Sequence, residues 1–265
     1  MLPGMKPTRL DLLLSQRGLA ESREKAKRLI LAGQVWVDGQ RVDRAATLVS
    51  AEATLEVRQG LPYVSRGGIK LEHALRVFPL DVRGWVAADV GASTGGFTDC
   101  LLQHGVAKVY AIDVGYGQLD WRLRQDARVV VLERTNARYL QNLPEAVNLV
   151  TIDASFISLR LLLPAVRSWL APQGQVIALI KPQFEAGREQ VGKGGVVRAQ
   201  ATHHAVLDGV LTWAIQNGWN VRGLTRSPIK GPKGNVEFLA WLSTDPTATA
   251  VDLDQAIEQV LRESD

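Results

Sequence analysis

Apolar positions near the start of the chain recur at helical spacing. Leu10, Leu13 and Leu14 make a stripe that predicts a helix over 9–16, with Thr8 as its cap and Gly18 beyond its end. Ala26, Leu29 and Ile30 make a second stripe and predict a helix over 23–32, capped by Ser22 and closed by Gly33. The period then shortens to two. Val35-Trp36-Val37 and Arg41-Val42 flank Asp38-Gly39, which reads as a tight hairpin, and 55–57 reads as another short strand. Beyond Pro62 the rhythm becomes a long alternation. Helices are expected at 68–77, 96–103, 118–124, 159–170 and 199–217, between strands at 86–90, 109–113, 129–132, 149–153 and 176–181. Continuous apolar strands separated by helices predict an α/β fold, a mostly parallel sheet covered on both faces. Two final strands, 219–224 and 236–242, have no helix between them and predict an antiparallel ending. The expected organisation is a small α+β unit over 1–60, a linker over 61–66 and a large α/β domain over 67–265.

Composition narrows the class. Of 265 residues, 46% are hydrophobic and 22% charged, which excludes a disordered chain. The single cysteine, Cys100, excludes an internal disulfide framework and fits a reducing compartment. No apolar run approaches a membrane span, and Met1-Leu2-Pro3-Gly4-Met5-Lys6-Pro7 lacks the apolar stretch of a secretory signal. A cytoplasmic protein without a membrane partner is expected. The net charge of +4 lies wholly in residues 1–66, which hold 11 Lys and Arg against 7 Asp and Glu; the remainder balances at 20 against 20. A basic module on a neutral body predicts a polyanionic partner, with Arg23, Lys25, Lys27 and Arg28 on the outer side of the second helix.

The first strand of the large domain runs into Asp89-Val90-Gly91-Ala92-Ser93-Thr94-Gly95-Gly96-Phe97. Glycines at a strand-to-helix turn let a ligand approach the backbone, and Asp113, ending the next strand, is placed to accept hydrogen bonds from a ribose diol. The glycine spacing departs from the dinucleotide fingerprint, and no Gly-Lys-Ser/Thr follows, which excludes a Walker-type phosphate loop. Four ionisable residues stand out: Lys70 on the entering helix, Asp153 and Lys181 ending adjacent apolar strands, and Glu237 in the last strand. Charges at the ends of apolar strands are costly unless paired or functional. Arg188, Lys193 and Arg198 mark a glycine-rich loop expected to be mobile. Arg222, Arg226, Lys230 and Lys233 form a second basic stretch. His203 and His204 diverge on a helix, and no pattern for a metal site accompanies them.

Two resemblances gather these residues. Arg9-Leu10-Asp11, Ser22-Arg23-Glu24-Lys25-Ala26, Ile30 with Gly33, and Val35-Trp36-Val37-Asp38-Gly39 resemble the S4 RNA-binding domain. The larger part resembles the FtsJ-like ribose methyltransferases, with a Rossmann-like sheet and a Lys-Asp-Lys-Glu tetrad matched by Lys70, Asp153, Lys181 and Glu237. Together they resemble the TlyA-type, haemolysin-A-like proteins, through Gly91 to Phe97, 113–119, Glu133 to Arg138 and Lys181 to Glu185. The resemblance implies 2′-O-methylation of cytidine ribose in ribosomal RNA with S-adenosylmethionine. It implies a cofactor site of Asp89, Gly91, Ser93, Thr94, Gly95, Gly96, Phe97, Asp113 and Asn136. RNA would meet Arg9, Arg23, Lys25, Lys27, Arg28, Arg66, Arg188, Lys193, Arg226, Lys230 and Lys233. Lys181 would act as general base or as the charge that stabilises a developing alkoxide. A catalytically inactive ribosome-assembly factor and a cytolytic haemolysin stand as alternatives.

Overall fold

The computed structural model describes residues 7–31, 33–57 and 60–262. Met1–Lys6 and Ala32, to which the leader and second-helix expectations extended, lie outside the described residues. The chain divides into two compact units, Met1–Pro62 and Tyr63–Asp265. Tyr63 is buried in the core of the second unit, so the division falls inside the stretch read as a linker.

In the first unit the elements are β1 (Thr8–Arg9), α1 (Leu10–Gln16), α2 (Arg23–Leu31), β2 (Val35–Val37), β3 (Gln40–Arg41), β4 (Leu48–Val49) and β5 (Leu55–Val57). Leu10, Leu14, Ile30 and Val35 are its fully buried centre. Thr8 does not cap the first helix. It lies in β1, antiparallel to β4, and Arg9 enters α1 from an extended conformation. Ser22 does cap α2, accepting a hydrogen bond from the Lys25 N–H at 3.1 Å. Positive φ at both Asp38 and Gly39 gives the turn that the right-handed twist of a two-residue hairpin requires. Asp11 is enclosed here, and its carboxylate is neutralised by Arg9 at 3.0 Å and Arg23 at 2.9 Å. The Arg9 hydrogen bond, with that of Arg23, holds its carboxyl down to about 2.

The second unit contains α3 (Gly67–Val77), β6 (Val86–Val90), α4 (Gly96–Gln103), β7 (Lys108–Ile112), α5 (Trp121–Gln125), β8 (Val129–Leu132), β9 (Val147–Ile152), α6 (Leu159–Trp169), β10 (Leu170–Ile180), α7 (Pro182–Glu185), α8 (Gln200–Gln216), β11 (Asn220–Arg226), β12 (Phe238–Ser243) and α9 (Leu253–Arg262). Its sheet has the order β11-β12-β10-β9-β6-β7-β8. β12 runs antiparallel to both its neighbours, and the other pairings are parallel. The antiparallel strand is therefore inserted beside β10, and β11 takes the edge. Alternation along β6 sends Ala88 and Val90 to one core, shared with Leu163, Leu207 and Ile257, and Ala87 to another, shared with Leu71 and Leu101.

The helix expected over 118–124 begins at Trp121 instead, because Asp120 accepts from the Arg122 N–H at 2.9 Å and is the stronger cap. That leaves Gln118 in the preceding loop. β6 lies between β7 and β9, so the chain reverses direction across the sheet there. The reversal opens a crevice at the carboxyl ends of β6 and β9, the usual ligand position in open α/β sheets.

Candidate active site

A cavity of about 430 Å³ occupies this crevice, within the range of small-ligand sites. Its wall includes Gly91, Ser93, Asp113, Gln118, Asn136 and Asp153, with Ile112, Val114, Ala137, Ile157 and Leu162 as an apolar side. Gly91 has φ +81°, and a Cβ there would sit 2.8 Å from the Asp153 carbonyl oxygen, so a larger residue would push the two strand ends apart. The Asp113 carboxylate accepts from the N–H groups of Ser93 at 2.8 Å and Gly115 at 2.7 Å. These bonds fix it at the rim with lone pairs remaining for a ligand.

Among the residues expected at the cofactor, Gly91, Ser93, Asp113 and Asn136 line the cavity; Asp89, Thr94, Gly95, Gly96 and Phe97 do not. Asp89 is fully buried, accepting from Thr98 Oγ1 at 2.7 Å and Thr151 Oγ1 at 3.0 Å. Burial pushes its carboxyl up to about 7 against the pull of those two hydroxyls. It ties α4 and β9 to β6. Phe97 is core, and Gly95 and Gly96 permit close packing where the loop enters α4.

The four candidate catalytic residues form two ion pairs. Lys70 Nζ lies 2.6 Å from Glu237 Oε2, with side chains 9% and 1% exposed. Lys181 Nζ lies 2.6 Å from Asp153 Oδ1, at 9% and 21%. Register explains the convergence: Ile180 pairs with Phe238, which sets Lys181 and Glu237 beside each other just past the ladder, and β9 delivers Asp153 on the other side of β10. Gly67, one turn before Lys70, would bring a Cβ within 3.8 Å of Asp153 Oδ2, so the start of α3 closes the group. Lys181 also donates to Ser155 Oγ at 3.0 Å and to the Asp153 carbonyl at 3.4 Å. Three acceptors match the three protons of an ammonium. Asp153, alone of the four, also lines the cavity.

Several contributors carried no signal in the sequence pattern. Ser155 is one. Phe156 is another, 90% exposed with φ +64° and its ring centroid 4.9 Å from that of Phe184, which in turn lies 5.8 Å from Lys181 Nζ. A β-carbon in that backbone region is strained, and an exposed phenyl gains nothing from folding; both features are common at functional sites. Glu185 accepts from Ser158 Oγ at 2.6 Å and the Leu159 N–H at 2.8 Å, joining the loops that follow β9 and β10. Burial pushes its carboxyl above the usual range.

The cationic candidates separate. Lys25 and Arg28 are exposed on α2, Lys27 pairs with Glu24 at 2.7 Å, and Arg9 and Arg23 are committed to Asp11. In the second unit Arg66 donates to the Lys230 carbonyl at 3.0 Å. The loop bearing Arg188 and Lys193 contains a 3-10 turn over Arg188–Gln190 and a bridge between Gly192 and Val196. Arg198, Lys230 and Lys233 are exposed and Arg226 half-buried. Arg222, the first residue of the second basic stretch, lies in β11 over the Trp241 ring. Among the described residues no cluster of His, Cys, Asp and Glu could hold a metal ion, and no helix is long and apolar enough to cross a membrane.

Comparison with known proteins gives the same division. Residues 8–55 match the S4 domain, and residues 63–244 match the FtsJ-like methyltransferase family. The chain is 52% identical over 244 residues to YqxC of Bacillus subtilis, a candidate rRNA methyltransferase, covering 89% of this chain and 86% of the relative. It is 46% identical over 263 residues to TlyA of Mycobacterium tuberculosis, a 16S/23S rRNA (cytidine-2′-O)-methyltransferase, covering 96% and 97%. The solved structure of a candidate hemolysin from Streptococcus thermophilus is similar at a TM-score of 0.74 and 46% identity, over 97% of this chain and 95% of that one.

Proposed function

The chain belongs to the FtsJ-like methyltransferase family, in the S4-containing TlyA group, and we propose that it methylates the ribose 2′-hydroxyl of cytidines in ribosomal RNA. The observation that carries this reading is the pairing of Lys70 with Glu237 and of Lys181 with Asp153 at neighbouring strand ends, beside a small-ligand cavity. The cofactor is S-adenosylmethionine. The residues present fit it: a glycine turn that a side chain would fill, a fixed carboxylate at Asp113 for a ribose diol, and an apolar wall for a purine. Bound there, it supplies a methyl group on a positively charged sulfur, open to in-line attack by the ribose oxygen.

The chain's own residues do the rest. A ribose hydroxyl is a weak acid, so its oxygen must shed a proton as the new O–C bond forms. Lys181 meets that oxygen. Its hydrogen bonds to Asp153 and Ser155 are those of an ammonium, which favours the second of its two expected roles, positive charge held against the developing alkoxide. The Asp153 carboxylate stands in the same cleft as the nearest acceptor for the departing proton. Lys70 and Glu237 hold the group together from α3 and from the residue just before β12, and their mutual neutralisation lets both stay buried. Phe156 and Phe184 give the target base an apolar face beside the reacting sugar. With a ribosomal substrate, the reaction would take place in the cytoplasm.

The test is label transfer from S-adenosylmethionine to ribosomal subunits and free ribosomal RNA from cells lacking the modification. Incorporation should map to a cytidine 2′-oxygen and fall by about 10²–10³-fold in Lys181→Ala. Turnover of that variant within a few-fold of the parent would remove Lys181 from the reaction. An absence of incorporation by the parent chain would favour the assembly-factor alternative.

A further inference from the structure

The segment Lys233-Gly234-Asn235-Val236-Glu237 contains a residue that the chemistry above leaves idle. Asn235 is 2% exposed and lies two positions before Glu237. Its side-chain Oδ1 accepts from the Val197 N–H at 2.9 Å, and its Nδ2 donates to the Gly195 carbonyl at 2.8 Å. Those two partners fix the orientation of the amide, because a backbone N–H needs the oxygen and a carbonyl needs the nitrogen. The backbone carbonyl of Asn235 accepts from the Gly231 N–H at 2.9 Å, closing a turn around the catalytic carboxylate. A side chain on Gly231 would overlap Glu237 Oε1, so that turn is moulded directly onto it.

One buried amide thus joins two cationic segments, one of which runs directly into Glu237. The segment it captures follows Arg188 and Lys193. Lys233 Nζ, on the capturing side, comes within 3.7 Å of where a side chain on Gly195 would begin. A second anchor acts in parallel: the Val197 carbonyl lies 3.2 Å from His203 Nε2, and the His203 ring meets the ring of Phe238 edge-on at 5.8 Å. Phe238 is the residue after Glu237.

We propose that Asn235 is a positioning residue that makes the cationic 188–198 loop and the Lys70–Glu237 pair one mechanical unit, so that RNA phosphates held by Lys193 and Lys233 set the target ribose against the catalytic group. The inference rests on the ribose-methylation reading. A loop free to wander would still attract RNA, but it would not fix the distance between a gripped phosphate and the reacting sugar. Misplacement at that scale lowers turnover without touching the cofactor cavity, which lies on the β6–β9 side of the sheet. Asn235→Asp keeps the acceptor for Val197 but sets a carboxylate oxygen against the Gly195 carbonyl. Asn235→Ala removes both bonds.

The full chain and both variants are assayed for kcat and KM with ribosomal RNA, for cofactor Kd by calorimetry, and for Tm. Both variants should lose at least tenfold in kcat and rise threefold or more in KM for RNA, with cofactor Kd within twofold of the parent. Lys193→Ala, a surface change, should raise KM in the parent background and add nothing in Asn235→Ala. Turnover per cofactor-binding site within twofold of the parent in both variants would overturn the inference. So would cofactor affinity falling in step with turnover, or Lys193→Ala acting equally in both backgrounds. If the parent chain itself transfers no label, the methylation reading fails first and this inference falls with it.

Discussion

Asp89 shows how a carboxylate in the middle of a fingerprint-like stretch can serve the fold. It ends no strand and does not line the cavity at the ends of β6 and β9; two threonine hydroxyls from α4 and β9 enclose it. With its carboxyl pushed up to about 7, the folded protein holds that proton more tightly than the unfolded chain, where an aspartate titrates near ~3.9. The stability this group contributes is complete below about pH 4 and is lost as pH rises through about 7, on the order of a few kcal/mol. Asp89→Asn should therefore show a smaller fall in Tm between pH 5 and pH 8 than the parent. Equal falls in thermal melts across that range would contradict the assignment. Asp11 behaves oppositely: its arginine partners lower its carboxyl, so its contribution is present above about pH 4 and fades as pH drops toward 2.

Elements place the candidate catalytic side chains, and loops tie the elements. Glu185 spans from α7 to the start of α6, holding the loop that presents Ser155 and Phe156 against the short helix that carries Phe184 and is capped by Lys181. Glu185→Ala should lower kcat by roughly tenfold, as expected when reacting groups lose their mutual orientation, while RNA affinity stays within twofold. Glu185→Gln, which keeps one acceptor, should fall between; equal kcat in steady-state assays of all three proteins would exclude the role. Much of this layer was legible in the sequence. Asp153 and Lys181 stood out because charge interrupts strands that are otherwise apolar, and their partnership followed from adjacent parallel strands. Lys70 and Glu237 sit in patterns where a lysine or glutamate is unremarkable, and the family resemblance, not periodicity, drew them in. β1 and β4 escaped because two-residue strands have no period to detect. β10 begins at Leu170, well before the expected 176, because Pro172 and Gly174 read as loop while a register shift lets the strand run through them. The tail forms α9, for which Leu253, Ile257 and Val260 carry the helical spacing although no element is expected there. Phe156, Ser155 and Asn235 had no signal at all, since their importance lies in where a loop turns.

At the scale of the whole molecule, an S4 unit is joined to an FtsJ-like methyltransferase unit, and the proposed function assigns RNA holding to the first and ribose methylation to the second. The positive balance of residues 1–66 is partly internal, because Arg9 and Arg23 neutralise Asp11. Lys25 and Arg28 remain on the exposed side of α2. Lys25→Ala and Arg28→Ala should each weaken ribosomal RNA binding and reduce the slope of log K against log salt by about one, with Tm unchanged. Arg23→Ala should lower both affinity and melting temperature, since it also uncovers a buried carboxylate. Binding isotherms at several salt concentrations, beside thermal melts, separate the two kinds of arginine and lysine; an unchanged melt for Arg23→Ala would return it to a purely RNA-facing role.

The position of β12 between β10 and β11 carries a consequence for biosynthesis. During translation Lys70, Asp153 and Lys181 are made long before Glu237, and β11 finds its sheet partner only when the following strand has been threaded into place. Until that strand is in place Lys70 has no Glu237 to pair with, so the last-placed strand of the sheet is also the one that completes the group of four.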